Sequence, residues 1–323
     1  MMPPLKWVAS GLAVLAVVTS WIAWRFDSDI NAANAKAALG SVLIDTRCSP
    51  IEYQETGTGI ALLMVHGSGG GHVQGIAFAG NLAQHGIRVI AMSRFGYLRT
   101  PMPADASPAA QADAHVCLLD ALGITQAAVA GGSAGGPSAL QMAIRHPNRV
   151  TALVFLVPLA YKPEALADSA KTLAPWAEAL LMRLISSDFL FWAGLHLARD
   201  QVIKYVLATP PEQVSVASTQ ERVRINAVLD GILPVSARAA GLRSDSVLSK
   251  SLGPSPLGSV RAPTLIISVR DDGFGTYASS EYTAGQIKGA KFVGFEQGGH
   301  VWVGHRKEVQ AEIMNLLVPK TKP

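Results

Sequence analysis

The segment most diagnostic of this chain's architecture is Gly131-Gly132-Ser133-Ala134-Gly135-Gly136. It follows the apolar run Gln126–Ala130, which has the length of a strand, and precedes a segment of helical pattern that begins near Pro137. A sharp strand-to-helix turn requires small residues two positions before and two positions after its middle residue, and both positions hold glycine here. Such a turn raises Ser133 above the sheet edge, at a helix N-terminus that favours developing negative charge. The motif therefore predicts a nucleophilic serine.

On both sides of this turn, apolar runs of strand length alternate with segments of helical pattern. The apolar runs are Ala61–Val65, Ile87–Ser93, Gln126–Ala130, Val150–Val157, Thr264–Val269 and Ala290–Phe295. The helical segments are Gly75–His85, Ala106–Leu122, Gly135–His146, Tyr277–Ile287 and His305–Leu317. Continuous apolar runs separated by helices are typical of a parallel sheet that is covered on both faces. We predict an α/β core from residues 50–158 and 261–323, interrupted by a helical insertion over 159–260.

The first thirty residues differ from the rest because they contain a long uncharged apolar run, Trp7–Trp24, between Lys6 and Arg25. As a helix this run spans about 27 Å, close to the roughly 30 Å of a bilayer's hydrocarbon core. We interpret residues 1–30 as an uncleaved membrane anchor and 31–49 as a tether, with the catalytic domain expected outside the cytoplasm. The alternative is a signal segment that is cleaved, followed by secretion.

Composition excludes several classes of protein. With 323 residues, 49% of them hydrophobic, the chain is not disordered, and its scattered basic residues and net charge of +4 do not suggest nucleic-acid binding. Cys48 and Cys117 can form one disulfide at most, and we interpret them as unpaired thiols, with Cys117 buried on a helix. The sequence has no cluster with metal-ligand spacing, no P-loop lysine and no dinucleotide fingerprint, so no cofactor or metal is expected.

A second glycine-rich segment, His66-Gly67-Ser68-Gly69-Gly70-Gly71, follows the run Ala61–Val65 directly. Glycines at this place let backbone N–H groups approach a substrate oxygen. We predict an oxyanion hole formed by the N–H groups of Ser68 and Ala134, the residue after the nucleophile. We interpret His66 as a structural residue that hydrogen-bonds the loop.

A nucleophilic serine needs a base, and His300 is the favoured candidate. It lies in Gly298-Gly299-His300, just after the run Ala290–Phe295, and the glycines free the loop to carry the imidazole over the sheet edge. The pKa of a free imidazole, about 6.5, suits a general base. His305 is the alternative, but its place at a helix start favours a surface role.

The base needs an orienting carboxylate, and Asp271 and Asp272 directly follow the run Thr264–Val269. A carboxylate that accepts from the imidazole fixes its tautomer and stabilises the imidazolium. We choose Asp272 over Asp271, whose role would then be to cap the turn or to face solvent.

The order Ser133, Asp272, His300, together with the first glycine-rich loop, resembles the α/β-hydrolase superfamily over about residues 50 to 318. The resemblance implies that 159–260 is a helical lid inserted after the sixth strand. The run Arg270-Asp271-Asp272-Gly273-Phe274 is similar to the acid turn of the carbon–carbon bond hydrolases of this superfamily, in which the second Asp is catalytic. The chain departs from the usual patterns at Val269, where a Gly is common, and at Gly69-Gly70-Gly71, where those hydrolases usually have Gly-Pro-Gly.

The resemblance implies an acyl-enzyme mechanism, since a serine stands where epoxide hydrolases and haloalkane dehalogenases of this fold have an aspartate. We expect hydrolysis of a small hydrophobic carboxylic ester, with carbon–carbon bond hydrolysis or perhydrolase or acyltransferase activity as alternatives. A non-catalytic membrane-tethered binder is a further alternative. Arg94 is expected to pair with a structural carboxylate rather than a substrate anion, and Trp302 is either a substrate contact or a core residue. Aromatic residues of the lid are expected mostly to pack its helices together: Trp176, Phe189, Phe191, Trp192 and Tyr205.

Overall fold

The computed structural model describes residues 4–164, 176, 182–183 and 186–318. Within these residues eight strands form one sheet in the order β1-β2-β4-β3-β5-β6-β7-β8. The strands are β1 Val42–Asp45, β2 Pro50–Thr56, β3 Ile60–Val65, β4 Ile87–Met92, β5 Ala127–Gly132, β6 Val150–Leu156, β7 Thr264–Val269 and β8 Lys291–Phe295. Strands β3 to β8 pair in parallel, whereas β2 is antiparallel to both β1 and β4. The predicted, mostly parallel α/β sheet is therefore confirmed.

Helices cover both faces of this sheet. In chain order, the helices of the described residues are α1 Pro4–Ala38, α2 His72–Ala79, α3 Pro108–Ala121, α4 Gly136–Arg145, α5 Asp188–Leu197, α6 Arg199–Val206, α7 Pro211–Val216, α8 Thr219–Asp230, α9 Ala239–Ser251, α10 Thr276–Gln286 and α11 Arg306–Leu317. Helices α2, α3, α4, α10 and α11 are those that pack on the strands. On β3, Leu63 and Val65 pack into one apolar cluster, and Leu62 and Met64 into the other. Because successive side chains of a strand point to opposite faces, these continuous apolar runs are buried on both sides.

Helices α5 to α9 form an insertion between β6 and β7, the place at which the lid was predicted. These helices supply most of a third apolar cluster, which also includes Val301 and Val303. Phe191 and Trp192 are buried in it, while Trp176 and Tyr205 are exposed. The remaining parts of the predicted insertion, 165–175, 177–181 and 184–185, lie outside the described residues.

The structure differs from the sequence prediction at residues 31–49. Instead of a tether, this segment continues α1 to Ala38 and then forms the edge strand β1. Alanine has the highest helix propensity, and alanines are frequent over 32–38. The side chains of Ile30 and Ala33 also pack against the apolar cluster of the insertion, so the helix gains tertiary contacts over this stretch.

Part of α1, Trp7–Ala38, is long and apolar enough to cross a membrane, with a mean hydropathy of 1.7 over its most apolar window. The residues of that window are not buried against the rest of the protein. In water such a surface is costly, since burying apolar side chains contributes roughly 25 cal/mol per Å².

The prediction that the two cysteines are unpaired was wrong. Cys48 and Cys117 form a disulfide, with their Cα atoms 6.1 Å apart. Cys48 lies in the loop between β1 and β2, which packs beside α3, and Cys117 lies on α3. The two residues are 69 positions apart in the chain, so no local pattern reveals that the edge hairpin brings them together.

Candidate active site

Ser133 occupies the turn between β5 and α4, at the start of the short 3₁₀ segment Ser133–Gly135. Its φ is +47°, which is a strained conformation for a residue with a β-carbon. Such strain is stored at functional turns and is maintained by the surrounding structure. The side chain is half-buried at the carboxyl end of the sheet, where neighbouring strands also end.

The turn leaves no room for side chains on either side of the serine. A β-carbon on Gly135 would lie 2.5 Å from the carbonyl oxygen of Val65 and 2.6 Å from that of His66. A β-carbon on Gly131 would lie 2.8 Å from Cβ of Ala139. The backbone of β3 and the first turn of α4 therefore require glycine at both positions, because atoms this close cannot coexist.

His300 and Asp272 form a buried hydrogen-bonded pair. The Nδ1 atom of His300 lies 2.8 Å from Oδ2 of Asp272, and both residues are less than one-tenth exposed. Phe274 lies edge-on to the imidazole, with ring centroids 4.8 Å apart. Because a carboxylate only accepts, Nδ1 of His300 is the donor in this hydrogen bond.

Three groups support the charge on Asp272. Burial alone would raise the pKa of this carboxyl, but the charge of His300 and hydrogen bonds from His300 and the Thr276 hydroxyl outweigh it. The Phe274 N–H also donates to Asp272, at 2.9 Å. The net pKa of Asp272 lies below its ordinary value.

Asp271 has a separate position. It accepts a hydrogen bond of 2.8 Å from the Gly299 N–H and another from the Gln213 side chain. It thereby holds the loop that carries the histidine, without contacting the imidazole. The structure therefore brings His300 to Asp272 and not to Asp271.

Ser133 and His300 line the same cavity, which has a volume of about 420 Å³. Ser68 and Ala134, the predicted oxyanion donors, also line it, and so do Leu159, Met182, Leu242, Asp245, Ser246, Ser249, Phe274 and Thr276. Most of this wall is apolar, and among its described residues none is a lysine or an arginine. Over the described part of the chain, no group of three His, Cys, Asp or Glu side chains is arranged to hold a metal ion.

Two further residues considered in the sequence lie away from this cavity. The ring of His305 stacks on Phe295, and its Nε2 is 3.0 Å from the carbonyl oxygen of Gln297. Trp302 is 2% exposed and packs edge-on against Phe78. The structure therefore places Trp302 in the core.

His66 is buried and its hydrogen bonds define its tautomer. The backbone N–H of Arg94 donates to Nε2 at 2.9 Å, and Nδ1 lies 2.6 Å from the carbonyl oxygen of Gly67. Since an N–H cannot accept, Nε2 is unprotonated and Nδ1 is the donor. Burial and the charge of Arg94 hold the pKa of His66 well below its ordinary value. This neutral ring ties the glycine-rich loop to the end of β4.

Sequence reasoning missed Asp245, which α9 of the insertion places at the cavity. Its carboxylate accepts two hydrogen bonds from the Arg94 guanidinium, at 2.8 and 2.7 Å, and one from the Ser68 hydroxyl at 2.7 Å. The Tyr97 hydroxyl also donates to it. Burial alone would lower the pKa of Arg94, but Asp245 outweighs this effect and raises it. Arg94 thus pairs with a structural carboxylate, as expected, and the pair fastens the insertion to the Ser68 loop.

A second arginine fastens the insertion to the same loop. Arg238 is 1% exposed and donates to the carbonyl oxygens of Gly70, Pro234 and Gly231, at 2.7 to 2.9 Å. Burial lowers its pKa to about 10, which leaves it charged at neutral pH. Of these three contacts, the one with Gly70 joins the insertion to the glycine-rich loop after β3.

We expect the protein to lose stability as the pH falls below about 6.5. The pKa of His115 is lowered to about 3 by burial and by the charge of Arg94, and that of His66 is also low. Between these folded values and the unfolded value of about 6.5, the unfolded chain binds more protons, so acid favours unfolding. For His115 this loss is about 1 kcal/mol between pH 6.5 and 5.5, and His66 adds a loss of the same sign.

This loss is measured by urea unfolding of the full chain in detergent at pH 7.5, 6.5 and 5.5. His115→Gln removes one buried neutral ring and should reduce the pH dependence by about 1 kcal/mol between pH 6.5 and 5.5. His85→Gln alters an exposed ring and serves as the matched control. A free energy of unfolding that does not change over this range would contradict the assignment of both rings as neutral.

Three comparisons with known proteins agree with this architecture. A sequence model of the alpha/beta hydrolase fold matches residues 60–303. The chain is 41% identical over 105 residues to a 2-hydroxymuconate semialdehyde hydrolase of Pseudomonas putida, which is 32% of this chain and 37% of that protein. It is 33% identical over 113 residues to a 2-hydroxy-6-oxo-6-phenylhexa-2,4-dienoate hydrolase of Comamonas testosteroni, 33% and 40% of the two chains. The matched segments thus span less than half the length of these relatives.

Among solved structures, the chain is similar to an alpha/beta hydrolase fold protein from Nakamurella multipartita. The TM-score is 0.64 at 28% identity, over 86% of this chain and 98% of that one. An esterase from Exiguobacterium antarcticum gives a TM-score of 0.66 at 17% identity, over 85% and 98% of the two chains. At this identity the second likeness concerns the fold alone.

Proposed function

The chain belongs to the alpha/beta hydrolase fold family, and from this membership we propose that it is a serine hydrolase in which Ser133 attacks a carbonyl carbon. The observation that carries the proposal is the shared cavity: a strained serine and a histidine paired with a buried carboxylate line one apolar chamber.

In the proposed mechanism, Nε2 of His300 takes the proton of the Ser133 hydroxyl as its oxygen bonds to the carbonyl carbon. Asp272 holds the Nδ1–H and stabilises the imidazolium that forms. The N–H groups of Ser68 and Ala134 donate to the oxyanion, and each such donor is worth about 2.7–4 kcal/mol. His300 then gives its proton to the leaving group, and water releases the acyl group from Ser133.

We propose that the bond broken is a carbon–carbon bond next to an aldehyde or ketone carbonyl, in preference to the ester bond expected from the sequence. The support is the naming of relatives at 33–41% identity, which act on 2-hydroxymuconate semialdehyde and 2-hydroxy-6-oxo-6-phenylhexa-2,4-dienoate. When the tetrahedral adduct collapses, the leaving carbon takes the electron pair of the bond and the proton of His300. The dienol must first tautomerise to the ketone, its hydroxyl proton passing to that carbon, because the new carbonyl then accepts the developing negative charge through the conjugated double bond.

Ester hydrolysis is the second candidate, and one observation favours it. The substrates named for the relatives are carboxylates or their semialdehydes, yet the described residues that line the cavity offer no free cation. The guanidinium of Arg94, which binds the same carboxylate as the Ser68 hydroxyl, is already paired with both oxygens of Asp245. An uncharged ester needs no such cation.

Two substrates that carry the same acyl group distinguish carbon–carbon bond hydrolysis from ester hydrolysis. The compounds 2-hydroxy-6-oxo-6-phenylhexa-2,4-dienoate and nitrophenyl benzoate both form a benzoyl-enzyme and release benzoate, so they differ in the bond that breaks. For carbon–carbon hydrolysis we expect kcat/KM to favour the dienoate by about tenfold or more, equivalent to roughly 1.4 kcal/mol. Turnover of nitrophenyl benzoate alone would support the ester. No turnover of either, and no labelling by a fluorophosphonate, would contradict the serine hydrolase itself.

We also propose that α1 is an uncleaved membrane anchor and that the catalytic domain lies outside the cytoplasm. The uncovered apolar surface of α1 supports insertion into lipid. Phe26 and Asp29 contact the insertion, which favours retention of the segment over its removal by a signal peptidase. The Cys48–Cys117 disulfide supports an oxidising compartment, because cytosolic thiols are kept reduced.

A further inference from the structure

The C-terminal half of α1 packs against α5 of the insertion. The Phe26 ring lies edge-on to Phe189 and Trp192, with centroid distances of 5.3 and 5.7 Å. About one helical turn later, the Nε1–H of Trp192 donates to Asp29 at 2.9 Å. The end of the apolar run Trp7–Trp24 therefore lies beside α5.

A second contact holds α1 at its C-terminal end. The Nε2 of His72, a fully buried residue at the start of α2, lies 2.8 Å from the carbonyl oxygen of Ala37. Since α1 is one unbroken helix between these contacts, they fix the orientation of its apolar run relative to the catalytic domain.

The contacts also give the direction of α5 relative to α1. Phe26 meets the first turn of α5 at Phe189, whereas Asp29 meets Trp192 and lies 3.8 Å from His196. The two helices therefore run parallel to each other. The first turn of α5 is therefore level with the end of the apolar run, and Leu197 lies about 10 Å farther along, at 1.5 Å per residue from Leu190.

The first turn of α5 presents apolar side chains that the described residues leave uncovered. Phe189 and Leu190 are 45% and 44% exposed. Trp24, two residues before Phe26 on α1, is 63% exposed. Aromatic and aliphatic side chains at the end of a membrane span favour the lipid–water interface. The surface is continuous with α1, whose own apolar run is uncovered.

We propose that Phe189 and Leu190 lie in the lipid–water interface and give the catalytic domain a second contact with the bilayer. The inference rests on the proposed insertion of α1 into the membrane. The partner of this surface is the lipid itself, because the surface continues the helix that enters the bilayer. Interfacial burial of two such side chains would hold the helical insertion against the membrane.

Fluorescence quenching of single labelled cysteines in the full chain tests whether residue 190 lies closer to the lipid than residue 197. The native cysteines are bridged, so a label reacts only at an introduced cysteine. Three variants carry a polarity-sensitive fluorophore: Leu15→Cys on α1, Leu190→Cys on α5 and Leu197→Cys as the matched control at the far end of α5. They are reconstituted into phosphatidylcholine vesicles that contain nitroxide lipids labelled at the headgroup or deep in the acyl chain.

We expect deep nitroxides to quench the label at Leu15, and headgroup nitroxides to quench the label at Leu190 roughly twofold more than that at Leu197, given their separation of about 10 Å. Equal quenching at 190 and 197, with deep quenching at 15, would overturn the inference and leave the anchor standing. No quenching at 15 would contradict the anchor itself. The label at 190 could instead report an apolar environment without being quenched by either nitroxide, and become polar when the protein is diluted in the vesicles. That result would show that a second copy covers this face and would also overturn the inference.

Discussion

Replacing Ser133 by alanine is expected to lower kcat by roughly 10⁶-fold, the scale found when the nucleophile of a catalytic triad is removed. The reason is that water must then attack the carbonyl without the covalent intermediate that divides the reaction into two easier steps. A residual rate above the uncatalysed reaction should persist, since the N–H groups of Ser68 and Ala134 remain in place.

The measurement is benzoate release by the full chain in detergent, together with labelling by a fluorophosphonate. Ser215→Ala serves as the control, because Ser215 is exposed on α7 and its hydroxyl donates to a carbonyl oxygen in its own helix. Ser133→Ala should lose both turnover and labelling while its unfolding midpoint stays close to that of the parent. Retention of more than a few per cent of turnover would place the nucleophile elsewhere.

Asp272→Asn is expected to lower kcat by about 10⁴-fold, and Asp271→Asn by less than about tenfold. The first change puts an amide opposite Nδ1 of His300, which favours the wrong tautomer and removes the charge that stabilises the imidazolium. The second change keeps an oxygen that can accept from the Gly299 N–H, so the histidine loop remains held.

The neighbouring aspartates therefore form a matched pair in one turn. Their kcat values are compared over the same range of pH, so that the two variants are measured under identical conditions. A larger loss for Asp271→Asn than for Asp272→Asn would reverse the assignment. Equal losses would indicate that both act through the shape of the loop, and the unfolding midpoints of the two variants would then fall together.

The site residues that could be predicted from the sequence all lie next to a local sequence pattern, the end of an apolar strand. Ser133, Asp272 and His300 each follow a strand of the parallel sheet, and the carboxyl ends of such strands meet at one edge. Apolar runs and glycines are enough to recognise those strand ends. The order of the three residues along the chain then indicates how they combine.

What the sequence did not reveal depends on contacts between distant segments. Asp245 lies on a helix of the insertion, 151 positions after the Arg94 that it binds, and no local pattern marks it. The same holds for the pairing of Cys48 with Cys117. The continuation of α1 beyond residue 30 was missed because the alanines and small polar residues there suit a linker as well as a helix, and the contacts of Ile30 and Ala33 decide between them.

The unbroken helix α1 has a consequence for how such an enzyme would meet its substrate. A domain on a flexible linker sweeps out a hemisphere above the membrane and presents its opening at every height and angle. With α1 inserted in a bilayer, as we propose, a domain fixed to it at Phe26, Asp29 and Ala37 would keep its cavity at one height and one tilt and would move only by diffusion and rotation in the membrane plane. Under that proposal, encounters with substrate would be a two-dimensional search within a thin layer at the membrane surface.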